Sequence, residues 1–323
     1  MAAQRMLVTG AAGMVGSYVS TVFNGFDLTL TDIEEGFERL DVRDPQAVMY
    51  TVCELEPQVV LHLAAATDVD LCEQDPDWAY HTNTIGTQNV ALACQETGCL
   101  LIFISTAGVF WGDKPEPYTE FDSPRPRNIY GDSKWQGEQI VTALLKRFFI
   151  CRAGWMVGGG ERDKKFVRKI TQLILDGSHH VKVVDDKFGS PTYAKDLLCG
   201  ILRLIGTRYY GLYHMVNTGT ASRYEVALAV RGILGREDME IEPVSSAYFP
   251  LPAPRARSEG MRNYKLDLLG MNDARCWEEA LEEYMLSELL PNLRASRSKD
   301  WPSGRPSRRA PRHPSVAATA QTV

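Results

Sequence analysis

A tyrosine and a lysine stand four residues apart in the stretch NIYGDSKWQGE, as Tyr130 and Lys134. On a helix this spacing puts both side chains on the same face. A free phenol has a pKa of about 10, far above neutral pH, and a nearby ammonium group lowers that value. The two residues are therefore either a surface pair or a proton donor and the cation that tunes it. Because the spacing alone is common, the elements that position the pair must decide whether it acts.

The strand that precedes this pair ends in hydroxyl side chains. The run CLLIFIST is apolar up to Ser105 and Thr106, which suits a central parallel strand covered on both faces. Ligands of such sheets bind outside the carboxyl ends of the strands. Ser105 and Thr106 therefore stand where a ligand of the sheet would bind.

The N-terminal stretch RMLVTGAAGMVGSYVSTVF predicts a nucleotide-binding turn between a strand and a helix. Gly10 permits a tight turn, Gly13 lets a pyrophosphate approach the backbone, and Gly16 lets the helix pack close to the strand. Met14 and Val15 lie within the same turn and are expected to contact the cofactor. The first backbone N–H groups of the helix would bind the phosphates.

The second strand, LTLTD, ends in Asp32, which can accept hydrogen bonds from the ribose hydroxyls of an adenosine. Its carboxylate would repel a 2′-phosphate, and no basic residue follows until Arg39. The sequence therefore favours NAD(H) as the cofactor, with NADP(H) as the alternative.

Farther along, apolar strands alternate with amphipathic helices, which predicts an α/β fold with a doubly wound parallel, Rossmann-type sheet. The run PQVVLHLAAAT is typical of a buried strand that ends in small residues. Ala64, Ala65 and Ala66 would let the backbone approach the cofactor.

These motifs resemble the extended short-chain dehydrogenase/reductase superfamily, in the G-x-x-G-x-x-G turn and in Thr106 followed by Tyr130-x-x-x-Lys134. Longer runs resemble the dTDP-4-dehydrorhamnose reductase family: STAGVFWGDKPEPYTEFDSPRPRNIYGDSKWQGE, CRAGWMVG and VVDDKFGSPTYAKDL. The resemblance implies a dinucleotide-binding domain, mainly residues 1–155. It also implies a smaller C-terminal α/β substrate-binding domain, mainly residues 156–293, with some segments returning to the first domain.

The activity implied by the resemblance is hydride transfer from NAD(P)H to the 4-keto group of a nucleotide-linked deoxysugar. Tyr130 would be the proton donor, Thr106 would hold the substrate oxygen beside it, and Lys134 would also bond the nicotinamide ribose. An NAD-dependent nucleotide-sugar epimerase and a non-catalytic regulatory subunit of the same fold remain as alternatives. The sequence does not fix the oligomeric state, and the resemblance is compatible with a homodimer.

The resemblance also assigns roles to residues outside the triad. Asp41 and Val42 would lie beside the adenine, and Asn83 would either support the active-site backbone or have no role. The expected substrate contacts are Thr106, Ala107, Pro191, Thr192, Arg255 and Arg257. Ala107-Gly108 replaces the usual Asp-Tyr of the family, which leaves the particular sugar open and argues against dehydration chemistry.

Charge and composition limit the classes of partner. The chain has 323 residues and a net charge of −6, but residues 294–323 carry seven basic residues against one acidic residue. The remaining acidic body argues against a nucleic-acid partner, and the Pro-, Arg- and Ser-rich tail is expected to be disordered. No apolar run is long enough to span a membrane and no signal peptide is recognisable, so we expect a cytoplasmic protein. The seven cysteines and six histidines show no metal-binding pattern, and no metal is expected.

Overall fold

A computed structural model describes residues 3–299 of the chain, with side chains described as far as residue 295. The strands are β1 Gln4–Thr9, β2 Phe26–Asp32, β3 Glu38–Arg39, β4 Val59–His62, β5 Leu100–Thr106, β6 Phe148–Ala153, β7 Trp155–Val157, β8 His180–Val184, β9 Phe188–Gly189, β10 Pro191–Tyr193, β11 Gly211–His214, β12 Ala221–Ser222, β13 Glu240–Val244 and β14 Ser258–Glu259.

Seven strands form the central sheet in the order β11-β6-β5-β4-β1-β2-β3, and every neighbouring pair is parallel. The chain order reverses between β1 and β4, which is the switch point where α/β sheets of this kind bind their ligands. Strand β4 is buried along its whole length, as its continuous apolar sequence predicts. The predicted doubly wound parallel sheet is thereby confirmed.

The α-helices cover both faces of this sheet. They are α1 Val19–Val22, α2 Pro45–Leu55, α3 Val69–Gln74, α4 Pro76–Tyr80, α5 Gly86–Thr97, α6 Ile129–Leu144, α7 Phe166–Leu175, α8 Ala194–Ile205, α9 Arg223–Ile233, α10 Tyr264–Leu268, α11 Trp277–Tyr284 and α12 Leu290–Lys299. Helices α2, α5 and α6 supply Val52, Val90 and Val141 to the apolar layer on one face. Helices α1, α8 and α11 pack on the other face. Within the described residues, no helix has the length and apolar character needed to cross a membrane.

The chain beyond β6 builds three small sheets and also returns to the central one. The small sheets pair β10 with β7, β13 with β8, and β9 with both β12 and β14. Strand β11 joins the central sheet beside β6. The assignment of residues 156–293 to substrate binding stays a prediction.

Two helical segments differ from the sequence-based expectation. The helix after the glycine turn consists only of a 3₁₀ turn at Gly16–Tyr18 followed by α1, in a stretch whose β-branched residues disfavour a longer helix. At the other end, α12 extends to Lys299, six residues into the tail that was expected to be disordered from residue 294. A π-helical turn at Met285–Leu289 precedes the N-terminal turn of α12, where Pro291 cannot donate a backbone hydrogen bond. The rest of the predicted tail lies outside the described residues.

Candidate active site

Helix α6 brings the tyrosine to the end of β5. The helix begins at Ile129, and the Asn128 side chain caps it by accepting a hydrogen bond from the Gly131 backbone N–H at 2.9 Å. A Cβ atom at position 131 would collide with the carbonyl oxygen of Gly108, so glycine permits the close approach of the helix to the loop after Thr106. As a result, a Cβ placed on Gly108 would lie 3.4 Å from the Thr106 hydroxyl and 3.6 Å from the Tyr130 ring.

The Tyr130 hydroxyl is protonated at neutral pH. Burial raises its pKa to about 12, the negative charge of Glu259 adds to this rise, and the neighbouring Thr106 hydroxyl opposes it. A protonated phenol beside a second hydroxyl can donate a proton to a carbonyl oxygen that both groups contact. The structure therefore places Thr106 and Tyr130 together, as the sequence predicted.

Lys134 lies deeper in the protein, on the second turn of α6. Its side chain is 3% exposed, and its ammonium nitrogen stands 4.1 Å from the centroid of the Phe103 ring. Burial lowers the pKa of Lys134 to about 7, against the opposing effect of the Glu138 carboxylate. Burial, the Thr106 hydroxyl, the Cys72 thiol and the Glu259 carboxylate account for the shift in the pKa of Tyr130. The tuning of Tyr130 by Lys134 therefore stays a prediction.

A buried ion pair that the sequence did not reveal lies one turn beyond Lys134. The Arg152 guanidinium donates to both carboxylate oxygens of Glu138, at 2.9 and 2.6 Å, and the Ser105 hydroxyl donates to the same carboxylate at 2.5 Å. Strand β6, which carries Arg152, is the neighbour of β5 in the sheet. The four-residue spacing from Lys134 to Glu138 was a visible signal, but the partner Arg152 was not.

Asn83 supports the backbone beside the tyrosine. Its amide oxygen accepts from the Ala66 N–H at 2.8 Å, and its amide nitrogen donates to the Ala66 carbonyl and to the Ser133 hydroxyl, each at 3.0 Å. The residue is fully buried in the π-helical turn His81–Ile85. Of the two roles considered for Asn83, the structure favours support of the active-site backbone.

The glycine turn has the shape that a dinucleotide requires. Gly10 adopts a φ of 74°, and a Cβ atom there would collide with the backbone of Ala64. Gly16 is held against the Ala11 carbonyl in the same way, while Gly13 is exposed at the mouth of the turn. Met14, Val15, Ala64 and Ala65 are partly buried around it, and Ala66 is buried. The residues present thus fit a dinucleotide whose phosphates lie against the backbone.

The Asp32 carboxylate has fewer hydrogen-bond acceptor positions available for a ligand than the sequence suggested. Its carboxylate accepts hydrogen bonds from the backbone N–H groups of Ala12, Ile33 and Glu34, at 2.8, 2.7 and 3.1 Å. A carboxylate has about four acceptor positions, so few remain for ribose hydroxyls. In addition, β3 places Arg39 opposite Asp32 in the sheet, and the Arg39 guanidinium donates to the Ile33 carbonyl at 3.3 Å.

Asp41 and Val42 occupy different environments. Arg43 holds the Asp41 carboxylate through two nitrogens and lowers the pKa of that carboxyl. The Val42 side chain is 4% exposed and packs in the apolar layer beneath α5, where the Asn89 amide donates to the Val42 carbonyl at 2.9 Å. Contact of either residue with an adenine stays a prediction.

The predicted substrate residues fall into buried and accessible groups. Ala107 and Pro191 are buried, and Thr192 is 1% exposed with its hydroxyl donating to the Ser190 carbonyl. The Thr192 side chain is thus already engaged within the protein. Arg255 is half-buried and forms an ion pair with Asp70 at 2.9 Å, and Arg257 is exposed.

Comparison with known proteins gives consistent matches over nearly the whole described chain. The family model described as the RmlD substrate-binding domain matches residues 4–289. A curated dTDP-4-dehydrorhamnose reductase of Mycobacterium tuberculosis is 36% identical over 290 residues, which cover 86% of this chain and 91% of the relative.

Two solved structures with the same enzyme name have similar folds. The dTDP-4-dehydrorhamnose reductase of Bacillus anthracis in complex with NADP is 36% identical, with a TM-score of 0.83 over 88% of this chain and all of the other. The reductase of Yersinia enterocolitica is 38% identical, with a TM-score of 0.80 over 87% of this chain and 98% of the other.

Proposed function

The chain belongs to the RmlD substrate-binding domain family, and we propose that it is an oxidoreductase of the dTDP-4-dehydrorhamnose reductase type. It reduces the 4-keto group of a nucleotide-linked deoxysugar to a hydroxyl group. The observation that carries the proposal is the proximity of Thr106 and Tyr130 at the carboxyl ends of the parallel strands, beside a glycine turn shaped for a dinucleotide.

In the proposed reaction, the bound dihydronicotinamide supplies a hydride to the ketone carbon. Tyr130 donates its hydroxyl proton to the ketone oxygen, and the Thr106 hydroxyl holds that oxygen in place. The high pKa of Tyr130 keeps the proton on the phenol until negative charge develops on the substrate. Lys134, whose ammonium has no hydrogen bond to any described residue, would bind the ribose hydroxyls of the cofactor and stabilise the phenolate that remains.

The cofactor is NADPH or NADH, and the sequence-based preference for NAD(H) is not supported. Three backbone N–H groups occupy most of the acceptor positions of the Asp32 carboxylate. Arg39 lies opposite Asp32 on the neighbouring strand β3. A guanidinium can bind a 2′-phosphate through two parallel hydrogen bonds. We therefore assign Arg39 as the contact for the 2′-phosphate of NADPH.

The names of the relatives favour a reductase over an epimerase or a regulatory subunit. The Ala107-Gly108 pair offers no carboxylate for elimination of water. Substrate contacts through Arg255 and Arg257, a homodimer and a cytoplasmic location complete the proposal.

The proposal is tested with purified protein, dTDP-4-dehydro-L-rhamnose and either reduced cofactor, following the loss of cofactor absorbance. We expect turnover that falls by about 10²–10⁴-fold in Tyr130→Phe, because the variant lacks the acidic proton. Tyr50→Phe is a matched control, since the Tyr50 side chain is 68% exposed on α2. Absence of turnover with a panel of keto-sugar nucleotides would refute the proposal, and product formed without net cofactor oxidation would indicate an epimerase.

A further inference from the structure

Trp155 and Glu259 are joined by a side-chain hydrogen bond just beyond the carboxyl end of strand β6. Strand β6 pairs with β5 so that Ala153 lies opposite Thr106, and Trp155 follows two residues later. The backbone N–H of Trp155 donates to the Ser190 carbonyl at 2.8 Å, which fixes the residue just beyond the carboxyl ends of the strands. Trp155 therefore follows the strand end at which Ala153 pairs with Thr106.

Hydrogen bonds connect the segment 253–260, which contains Glu259, to the α6 cap and to the loop after β5. The Asn128 amide, at the cap of α6, donates to the Pro254 carbonyl at 3.0 Å. The Tyr118 backbone N–H, from the loop after β5, donates to the Gly260 carbonyl at 2.8 Å. Since both anchors belong to the elements that present Tyr130 and Thr106, the position of Glu259 relative to the tyrosine is fixed by the fold.

The Glu259 carboxylate retains acceptor capacity. Its Oε2 atom accepts a hydrogen bond from the Trp155 indole N–H at 2.8 Å. Among the described residues, no other group donates to this half-buried carboxylate. With one of about four acceptor positions used, the Oε1 atom can accept from a ligand.

A nearby arginine does not neutralise this carboxylate by direct contact. The Arg223 guanidinium stacks on the Trp155 ring, 3.8 Å from its centroid, and lies 5.1 Å from the centroid of Phe166. Within residues 3–295, Arg223 forms no ion pair with Glu259. The glutamate charge is nevertheless felt by both neighbours, since it raises the pKa of Tyr130 and opposes the lowering of the pKa of Arg223 by burial.

A purely structural partner for the Trp155 indole would not need a charge. A glutamine at position 259 could accept the same hydrogen bond, and it would not make the Tyr130 phenol a weaker acid. A structural role therefore leaves the charge of Glu259 unexplained. A charge-assisted hydrogen bond to the substrate would account for it.

We propose that Glu259 is a substrate-binding residue whose free carboxylate oxygen accepts a hydrogen bond from the sugar hydroxyl on the carbon next to the reacting ketone. This inference rests on the proposed reductase function. It assigns to Glu259 the selection of keto-sugars that carry that hydroxyl over the corresponding deoxy-sugars, with Trp155 holding the carboxylate in place.

The test compares two nucleotide-linked 4-keto-sugars that differ only in the hydroxyl at carbon 3, with wild-type protein and Glu259→Met. We expect the substitution to lower kcat/KM by about 10- to 100-fold for the hydroxylated sugar, and by less than about threefold for the 3-deoxy-sugar. Glu259→Gln should give an intermediate loss, because its amide oxygen is a weaker acceptor, and it serves if the methionine variant fails to fold. Glu96→Met, at an exposed position on α5, is the matched control.

An equal loss for both sugars would show that Glu259 acts only through the structure, and no loss for either would also overturn the inference. Calorimetric binding of the two corresponding reduced sugar nucleotides to wild-type protein and Glu259→Met provides a readout that does not require turnover. A wild-type protein that binds with this hydroxyl dependence but reduces no keto-sugar would refute the proposed function and leave the Glu259 inference standing.

Discussion

Replacing Glu138 by glutamine should destabilise the protein and also shift its pH profile. The Glu138 and Arg152 side chains are 2% and 3% exposed, and their charged atoms are 2.6 Å apart. Removing one partner of such a pair leaves a buried charge without compensation, which costs about 3–5 kcal/mol. The glutamine amide oxygen still accepts one hydrogen bond, so we expect about 3 kcal/mol, the lower end of this range.

The same substitution acts on Lys134. The Glu138 carboxylate raises the pKa of Lys134, and burial brings the net value down to about 7. Without the carboxylate, the ammonium loses its proton at a lower pH. If the protonated lysine is the active form, kcat/KM of Glu138→Gln should begin to fall at a lower pH than in the wild type as pH rises.

Urea unfolding followed by circular dichroism measures the first effect, and kcat/KM as a function of pH measures the second. Glu56→Gln is the control, because the Glu56 carboxylate is 78% exposed and 3.7 Å from Arg5. That exposed pair should contribute less than about 1 kcal/mol. A loss below about 1 kcal/mol in Glu138→Gln would refute the reasoning that the buried pair is desolvated. An unchanged pH profile would refute the coupling to Lys134.

Three further substitutions test other parts of the site. Lys134→Met should abolish turnover yet raise the free energy of unfolding by about 1–3 kcal/mol, because it removes an ammonium that burial disfavours; a thermal melt that shows destabilisation would contradict this. Asn83→Ala should cost about 2–4 kcal/mol in urea unfolding, since both backbone groups of Ala66 lose their partner; a cost under about 1 kcal/mol would mean that those groups find other partners. Arg39→Ala should raise the KM for NADPH about tenfold and change the KM for NADH less than twofold, and equal changes for both cofactors would argue against a 2′-phosphate contact at Arg39.

Local patterns allowed the glycine turn and the Tyr130–Lys134 pair to be predicted from sequence. Gly10 and Gly16 stand where a side chain would collide with the backbone, and such a steric requirement shows directly as residue type. Tyr130 and Lys134 lie on one helix whose cap, Asn128, is also a local signal. A structural requirement that involves only a few neighbouring residues can be recognised in the sequence.

Contacts between segments that are distant in sequence could not be recognised in this way. The proposed contact of Arg39 with a 2′-phosphate depends on its position opposite Asp32 in the neighbouring strand, which the sequence spacing did not show. In the same way, the hydrogen bond from Trp155 to Glu259 joins residues 104 positions apart.

The sequence by itself determined the class of fold and predicted the dinucleotide turn and the proton donor, because each depends on periodicity or on short spacings. The tertiary structure decided which charges surround that donor. Pairing of β5 with β6 and anchoring of the segment 253–260 bring Arg152 and Glu259 to the site from remote parts of the chain. The effect of each charge on neighbouring pKa values then depends on burial, which is a property of the packed protein rather than of residue type.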